Sequence, residues 1–166
     1  RQLAGLHPVD IGKVLYPQTS IKIIYIGHKL GLKEQLTADE NLSWLVGLDG
    51  SSTQLQRYAA LERVGLKGYE ENTVAQLSAG QKRRVALARL HLCKADVWLL
   101  DEPFTSLDHQ GIEDEQDWLN QHTLAGGAVL MTSHQEVSLP QVNILDLSQY
   151  AGLSSSSPSS GGGSST

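Results

Sequence analysis

The sequence of 166 residues is short of cysteine, of basic side chains and of long apolar runs. Cys93 is its single cysteine, so the chain can form neither an intrachain disulfide nor a cysteine-based metal site, which fits a reducing compartment. We interpret Cys93 as a small buried hydrophobe rather than a nucleophile. A formal net charge of -5 argues against DNA or RNA as a partner, because a phosphate backbone normally calls for a basic face.

Membrane-spanning segments and targeting signals are also missing from the sequence. No window approaches the roughly 18 to 20 consecutive apolar residues that a bilayer-spanning helix needs. Residues 1–3 lack the organisation of a signal peptide. What is present is a hydrophobic fraction of 40%, enough for the core of about one domain. We therefore expect a soluble globular protein that associates with membranes only through a partner.

The order of the apolar segments predicts an α/β fold with a parallel sheet. Residues 97–100 are a continuous apolar run of the buried-strand type, residues 128–133 are predicted to be another strand, and a segment of helical periodicity separates the two. Strand, helix, strand in that order indicates parallel pairing. The earlier apolar runs at residues 13–16 and 21–26 are predicted to be strands as well.

The middle of the sequence predicts helices. Thr37 and Glu40 have the spacing of a capping box, which indicates that a helix begins there. A second helix is predicted over residues 54–64, ending at Gly65, and a third over residues 79–93.

Composition and pattern divide the chain into four stretches. Residues 1–36 are interpreted as the remainder of an N-terminal core, opening with the tail of a helix that ends near Gly5. Residues 37–76 are interpreted as a helical subdomain, and residues 77–150 as the rest of the α/β core. Residues 151–166 are rich in serine and glycine and are predicted to be a disordered tail.

The segment LSAGQ, residues 77–81, has the pattern of a helix start that can hold an anion. Ser78 is a good N-cap, and the two small residues after it let backbone N–H groups approach a phosphate. The alternative is an ordinary capped helix without a ligand. The three basic residues that follow are interpreted as a solvated helix face: Lys82, Arg83 and Arg84.

The segment VWLLDE, residues 97–102, places Asp101 and Glu102 at the carboxyl end of a predicted buried strand. Ligands bind at that end of the strands in open α/β sheets. Asp101 is the candidate for holding Mg²⁺, because magnesium favours carboxylate plus phosphate oxygens. Glu102 is the candidate general base that positions or deprotonates an attacking water. The alternative is an Asp-Glu pair in a surface turn.

Two further short motifs follow VWLLDE in the sequence. Ser106-Leu107-Asp108 comes soon after it, and its Asp108 could equally cap the next helix. His134 directly follows the predicted strand VLMTS, and a lone histidine in such a place can also be structural.

Together and in this order, these four motifs resemble the signature, Walker B, D-loop and switch-histidine motifs of ABC-type ATPases. The resemblance covers roughly residues 1–150. Tyr25-Ile26-Gly27-His28 stands where most of the family has a strand followed by Pro-Gln, so His28 replaces the Q-loop glutamine. That replacement, the segment GLKEQLTADENL after it and the block LDEPFTSLDHQG resemble the haem exporter ATPases of cytochrome c maturation.

The resemblance implies a P-loop NTPase fold of the ABC type, incomplete at the N-terminus, and a role for each matching residue. Glu102 and His134 would be catalytic, and His28 would act in place of the glutamine unless it merely packs. Asp101 and His28 would hold Mg²⁺, directly or through water. Contacts with ATP held by the opposing subunit would come from Ser78, Ala79, Gly80, Gln81 and Asp108.

The same resemblance places the phosphate-binding loop and its lysine a few residues before Arg1. We therefore expect an ATP-hydrolysing transporter subunit when full length and an inactive chain as given. Its partners would be a second copy, closing head to tail around two MgATP, and membrane subunits that export haem, with the ATPase at the cytoplasmic face of the membrane. The alternatives are an ABC ATPase for another substrate, a soluble ABC protein of translation or DNA maintenance, and a non-functional fragment.

Overall fold

The computed structural model of the chain describes residues 2–16, 20–47, 52–105, 107–134, 137 and 139–150. The segment predicted to be a disordered tail lies outside these residues, and so does Ser106 of the third motif. Within the described part, no helix is both long enough and apolar enough to cross a membrane.

A parallel sheet of three strands forms the centre of the described structure. The strands are β1 (Ile23–Ile26), β2 (Val97–Asp101) and β3 (Ala128–Thr132), with β2 in the middle. The register pairs Ile26 with Leu100 and Asp101 with Thr132, so the three strands end at one edge of the sheet. The middle strand is buried along most of its length, as expected for a parallel strand covered on both faces. The predicted parallel α/β arrangement is confirmed.

Among the described α-helices, two pack against this sheet, and two others pack on one of these. The α-helices of the described residues are α1 (Ala38–Gly47), α2 (Gln54–Arg63), α3 (Ala79–Ala88) and α4 (His109–Leu124). Short 3-10 helices cover Val74–Gln76, Arg89–His91 and Leu147–Tyr150. The helix predicted over residues 79–93 is therefore shorter than expected, because its last turn is the 3-10 segment and not α-helix.

Local hydrogen bonds explain where the helices begin and end. The Thr37 N–H donates to the Glu40 carboxylate at 2.8 Å, and the Glu40 N–H donates to the Thr37 hydroxyl at 3.1 Å, which confirms the predicted capping box. The same reciprocal pattern joins Thr53 to Gln56 ahead of α2. Gly65 has a φ of 71°, a left-handed conformation that favours glycine and stops the second helix as predicted.

Two hydrophobic clusters share α3. The first lies against the sheet and contains Ile24, Ile26, Ala86, Leu87, Leu90, Trp98, Leu100, Phe104 and Leu119. The second joins α1, α2 and α3 and contains Ala38, Leu42, Ala60, Leu61, Leu66, Val74, Leu77, Val85 and Ala88. Because α3 is packed on both sides, its position relative to the sheet is fixed by close-packed contacts. The same packing fixes the position of the LSAGQ segment at the start of α3.

Two predictions about the first part of the chain are wrong. Residues 13–16 form no strand, and Leu15 is 75% exposed, so this run has neither a paired neighbour nor a buried face to stabilise it. The predicted helix tail is instead a turn, in which the Gly5 N–H donates to the Gln2 carbonyl at 3.0 Å and Gly5 adopts a φ of 68°. Cys93 is half-buried and packs against the first cluster, as expected for a small hydrophobe.

Candidate functional site

The candidate site lies where the three parallel strands end. Gly27 and His28 follow β1, Asp101 ends β2 and is followed by Glu102, and His134 comes two residues after β3. Parallel strands present their carboxyl ends at one edge of a sheet, and that edge is where α/β proteins bind ligands. The structure therefore gathers residues from three of the predicted motifs at one edge.

Asp101 is oriented by a side chain from the neighbouring strand. The Thr132 hydroxyl donates to Asp101 Oδ1 at 2.8 Å, across the β2–β3 pair. The carboxylate thereby keeps one oxygen fixed at the sheet edge. Sequence analysis did not single out Thr132, although its place at the end of the strand VLMTS, next to the acidic strand end, was the available signal.

Glu102 has an unusual backbone conformation. Its φ of 53° lies in the left-handed region, which non-glycine residues seldom adopt and which costs on the order of 1 kcal/mol or more. Its N–H donates to the Thr132 carbonyl at 3.2 Å and to the Thr132 hydroxyl at 3.1 Å. Neighbouring groups thus hold the residue in a conformation that it would not favour alone, at the point where the strand turns out of the sheet.

The Glu102 side chain lies beside His134. The His134 backbone N–H donates to Glu102 Oε2 at 3.3 Å, and His134 Nε2 is 3.5 Å from Glu102 Oε1. The imidazole is 95% exposed, so an ion pair between the two side chains would contribute little to stability. A carboxylate and an imidazole this close, open to solvent, can share one water molecule, which is the arrangement that general-base chemistry needs.

The start of α3 carries the LSAGQ segment on the surface. The Ser78 hydroxyl accepts from the Gln81 N–H at 3.2 Å, and the Ser78 N–H donates to Gln81 Oε1 at 2.9 Å. This capping box confirms that Ser78 is an N-cap. Ser78 and Ala79 are exposed, and Gly80 is half-buried, so the first turn of the helix faces solvent. An anion could reach it there.

Arg83 is buried, and the prediction that it belongs to a solvated face is wrong. Arg83 is only 7% exposed, and the residues on either side of it, Lys82 and Arg84, are half-buried. The Arg83 Nη1 donates to the Gly27 carbonyl at 3.1 Å. Its Nη2 donates to the carbonyls of Asp101 and of Glu102, the latter at 2.7 Å.

The available signal for Arg83 was its spacing on α3. It precedes Ala86 and Leu87 of the first cluster by three and four residues, which places it on the face that packs toward the sheet. Burial lowers the pKa of the Arg83 guanidinium, and nearby carboxylates oppose that effect. The side chain remains charged, because an arginine pKa starts far above neutrality.

Asp108 and His28 occupy different settings. Asp108 caps α4, its Oδ1 accepting from the Gly111 N–H at 3.0 Å, so the capping alternative accounts for this residue by itself. His28 is exposed and directly follows Gly27, which is buried and bonded to Arg83. His28 therefore directly follows a residue whose carbonyl shares the Arg83 guanidinium with the carbonyls of Asp101 and Glu102.

The donor set at this edge suits a magnesium ion that is shared with a phosphate. Among the described residues, no group of three or more His, Cys, Asp or Glu side chains is placed to hold a metal alone. Asp101 and Glu102 offer carboxylates, and Mg²⁺ binds through one or two of these while keeping phosphate and water ligands. The residues thus fit a Mg²⁺ ion that keeps phosphate and water as its other ligands.

The fold is that of an ATP-binding cassette, and the chain belongs to the ABC transporter family, whose sequence model matches residues 3–105. The names of curated relatives are more specific than the family description. The chain is 44% identical to the Cytochrome c biogenesis ATP-binding export protein CcmA of Saccharophagus degradans, over 92% of this chain and 76% of the relative. It is 42% identical to the protein of the same name from Escherichia coli K12, over 89% of this chain and 74% of the relative.

Solved structures agree on the fold. The dimeric post-hydrolysis state of the ATP-binding cassette MJ0796 bound to ADP and Pi superposes with a TM-score of 0.62 at 25% identity, covering 69% of this chain. A second dimeric structure of MJ0796, described as a bacterial ABC transporter cassette, also has a TM-score of 0.62. The chain spans 53%, about half, of each of these cassettes. The predicted ABC-type fold is confirmed.

Proposed function

We propose that the protein is the ATP-hydrolysing subunit of an ABC transporter that exports haem for cytochrome c biogenesis. The observation that carries the proposal is the strand edge at which Asp101, Glu102 and His134 meet, in a chain of the ABC transporter family. The name of its 44% identical relative, an ATP-binding export protein of cytochrome c biogenesis, supports the transport process.

In this mechanism, the chain's own residues position a water molecule against a terminal phosphate. Asp101, oriented by the Thr132 hydroxyl, would hold Mg²⁺, and the ion when bound would neutralise charge on the phosphate oxygens. Glu102 accepts the proton of the water as general base. His134, 3.5 Å from that carboxylate, donates a hydrogen bond to the terminal phosphate. His28 accepts a hydrogen bond at the same edge, in place of the Q-loop glutamine.

The exposed start of α3 serves the ATP of a second copy. In its capping box, Ser78 and Gln81 are hydrogen-bonded to each other. The first turn, with Ala79 and Gly80, presents backbone N–H groups to solvent. Two copies arranged head to tail would bring this turn, with Asp108, against the phosphate held by the partner. Dimeric structures of a related cassette support the proposal.

Membrane subunits complete the transporter in this proposal. The protein would lie at the cytoplasmic face of the inner membrane, held there by those subunits. The helical subdomain, residues 37–76, and the segment after His28 would pass the ATP-driven motion to them. Residues 1–36 and 77–150 would form the ATPase core on which that subdomain is carried.

Complementation tests the transport process. In bacteria that lack their own haem exporter ATPase of cytochrome c biogenesis, the full-length protein should restore haem-stained cytochrome c, and its Glu102→Gln variant should not. The proposed substrate would be wrong if the wild-type protein reached normal levels, hydrolysed ATP in membranes and still left cytochrome c without haem. An ABC ATPase for another substrate would then be favoured.

The 166-residue chain alone should not bind MgATP. Its sequence contains no G-x-x-G-x-G-K-[ST] segment, whose backbone N–H groups and lysine cradle the phosphates in P-loop proteins. Titration calorimetry should give no saturable heat with this chain and a saturable heat with the full-length protein. Micromolar binding by the chain alone would show that its nucleotide site is complete without that loop.

His28 should contribute to ATP hydrolysis as a hydrogen-bond acceptor at the strand edge. An imidazole nitrogen can accept a hydrogen bond there, as the side-chain oxygen of glutamine does. In the full-length protein, His28→Gln should therefore keep most of the rate of ATP hydrolysis, whereas His28→Ala should be slow. Equal rates for the wild type and both variants would show that His28 only packs.

A further inference from the structure

We propose that Arg83 is a positioning residue that holds the Glu102 backbone in its left-handed conformation and so aims the Glu102 carboxylate at the attacking water. The inference rests on the proposed function, since it assigns a role within that same site. It concerns a side chain on the helix that begins with the signature segment, five residues after Ser78.

The first support is the number of strand ends that one guanidinium reaches. Its Nη1 donates to the Gly27 carbonyl at 3.1 Å, just beyond β1, and its Nη2 donates to the carbonyls of Asp101 and Glu102 at the end of β2. An arginine can do this because its donors form a rigid planar fork, whereas a lysine ammonium is a single point of charge. Arg83 thus joins α3 to two neighbouring strand ends.

The second support is the left-handed backbone conformation of Glu102, which accepts one of these hydrogen bonds. Glu102 has a φ of 53°, and its carbonyl accepts from Arg83 at 2.7 Å while its N–H donates to Thr132. Both sides of the residue are therefore tied, one to α3 and one to β3. The backbone conformation in turn directs the side chain toward His134, 3.5 Å away. Without the bond from Arg83, the strained residue can relax and its carboxylate moves.

The third support is that Arg83 is buried at an electrostatic cost. The residue is 7% exposed, and its Nε is buried without a hydrogen-bond partner among the described residues. Glu115 of α4, 6% exposed, attracts the guanidinium but forms no ion pair with it within the described structure. If this core position served only packing, an apolar side chain would fill it without the free-energy cost of desolvating a charge. The hydrogen bonds to the strand-end carbonyls are the interactions that offset the desolvation of this charge.

A double-mutant cycle on the full-length protein tests the proposal. Arg83→Met should lower kcat for ATP hydrolysis by roughly 10- to 100-fold, the scale of a misplaced catalytic group, and leave the KM for ATP nearly unchanged. Arg83→Lys should be almost as slow, since an ammonium carries its donors on one nitrogen and lacks the two separate nitrogens, Nη1 and Nη2, that reach the two strand ends. Arg63→Met, which removes an exposed guanidinium from α2, should leave kcat unchanged and controls for the loss of charge.

The deciding measurement is the same change in the Glu102→Gln background. If Arg83 acts through the Glu102 carboxylate, Arg83→Met should slow the residual hydrolysis there by less than about threefold. An equal loss in both backgrounds would overturn the proposal, because a poorly folded protein or an independent role loses the same factor in each. Unchanged kcat in both Arg83 variants would overturn it too. If instead Glu102→Gln itself turned over at the wild-type rate, the proposed function of the site would fail first.

Discussion

Replacing Glu102 by glutamine in the full-length protein should lower the rate of ATP hydrolysis by roughly 10²- to 10⁴-fold, the usual contribution of a general base. Glutamine has the same shape, and its side-chain oxygen can still accept from the His134 N–H. The backbone N–H bonds to Thr132 also remain. What disappears is the group that takes a proton from water, so the loss should appear in kcat rather than in the affinity for ATP.

The same variant should accumulate as an ATP-bound dimer, because in the proposed function closure of two copies needs ATP and reopening needs hydrolysis. Size-exclusion chromatography with MgATP should show that dimer for Glu102→Gln and much less of it for the wild type. Glu113→Gln, which removes an exposed carboxylate from α4, is the matched control and should hydrolyse ATP normally. Wild-type turnover by Glu102→Gln would return Glu102 to a surface role.

The pH dependence of folding stability should reveal two groups that act in opposite directions, the buried Glu115 and the half-buried His91. Burial raises the pKa of Glu115 from 4.5 to about 7. Between these values the folded protein holds a proton that the unfolded chain has lost, so this group's contribution falls as pH rises. Burial lowers the pKa of His91 from 6.5 to about 4, helped by the charge of Arg63. There the unfolded chain holds the extra proton, so this contribution falls as pH falls.

Substitution of either group should remove that group's own contribution to the pH dependence of stability. Each shift corresponds to about 3 kcal/mol at most. The unfolding free energy of Glu115→Gln, relative to the wild type, should therefore rise by roughly that amount from pH 4.5 to pH 7. The same difference for His91→Phe, which keeps a ring against Trp118, should fall by a similar amount from pH 4 to pH 6.5.

Denaturant unfolding at several pH values measures both differences against the wild type, so that titrations common to all three proteins cancel. Lys94→Met, on the exposed surface, is a suitable control and should show no pH-dependent difference over this range. Parallel stability curves for Glu115→Gln and the wild type would mean that Glu115 titrates alike in the folded and unfolded states.

Helix starts and the order of elements were predictable because they depend on neighbours in the sequence. The capping pair Thr37 and Glu40 lies three residues apart, and so does the pair Ser78 and Gln81, so each is visible as a short pattern. The alternation of buried strand and helix predicted the parallel sheet for the same reason. The run at residues 13–16 had an equally local strand signal, but a strand also needs a partner, and the pattern could not show one.

The sequence by itself determined the family of this protein, its parallel α/β order and the residue types at the strand ends, because motifs and periodicity are local properties of the chain. The tertiary structure alone decided that Arg83 is buried against Gly27, 56 residues away, and that Thr132 orients Asp101, 31 residues away. It also decided the left-handed backbone of Glu102. These features arise from contacts between segments that only packing brings together, and no local pattern encodes such a distance.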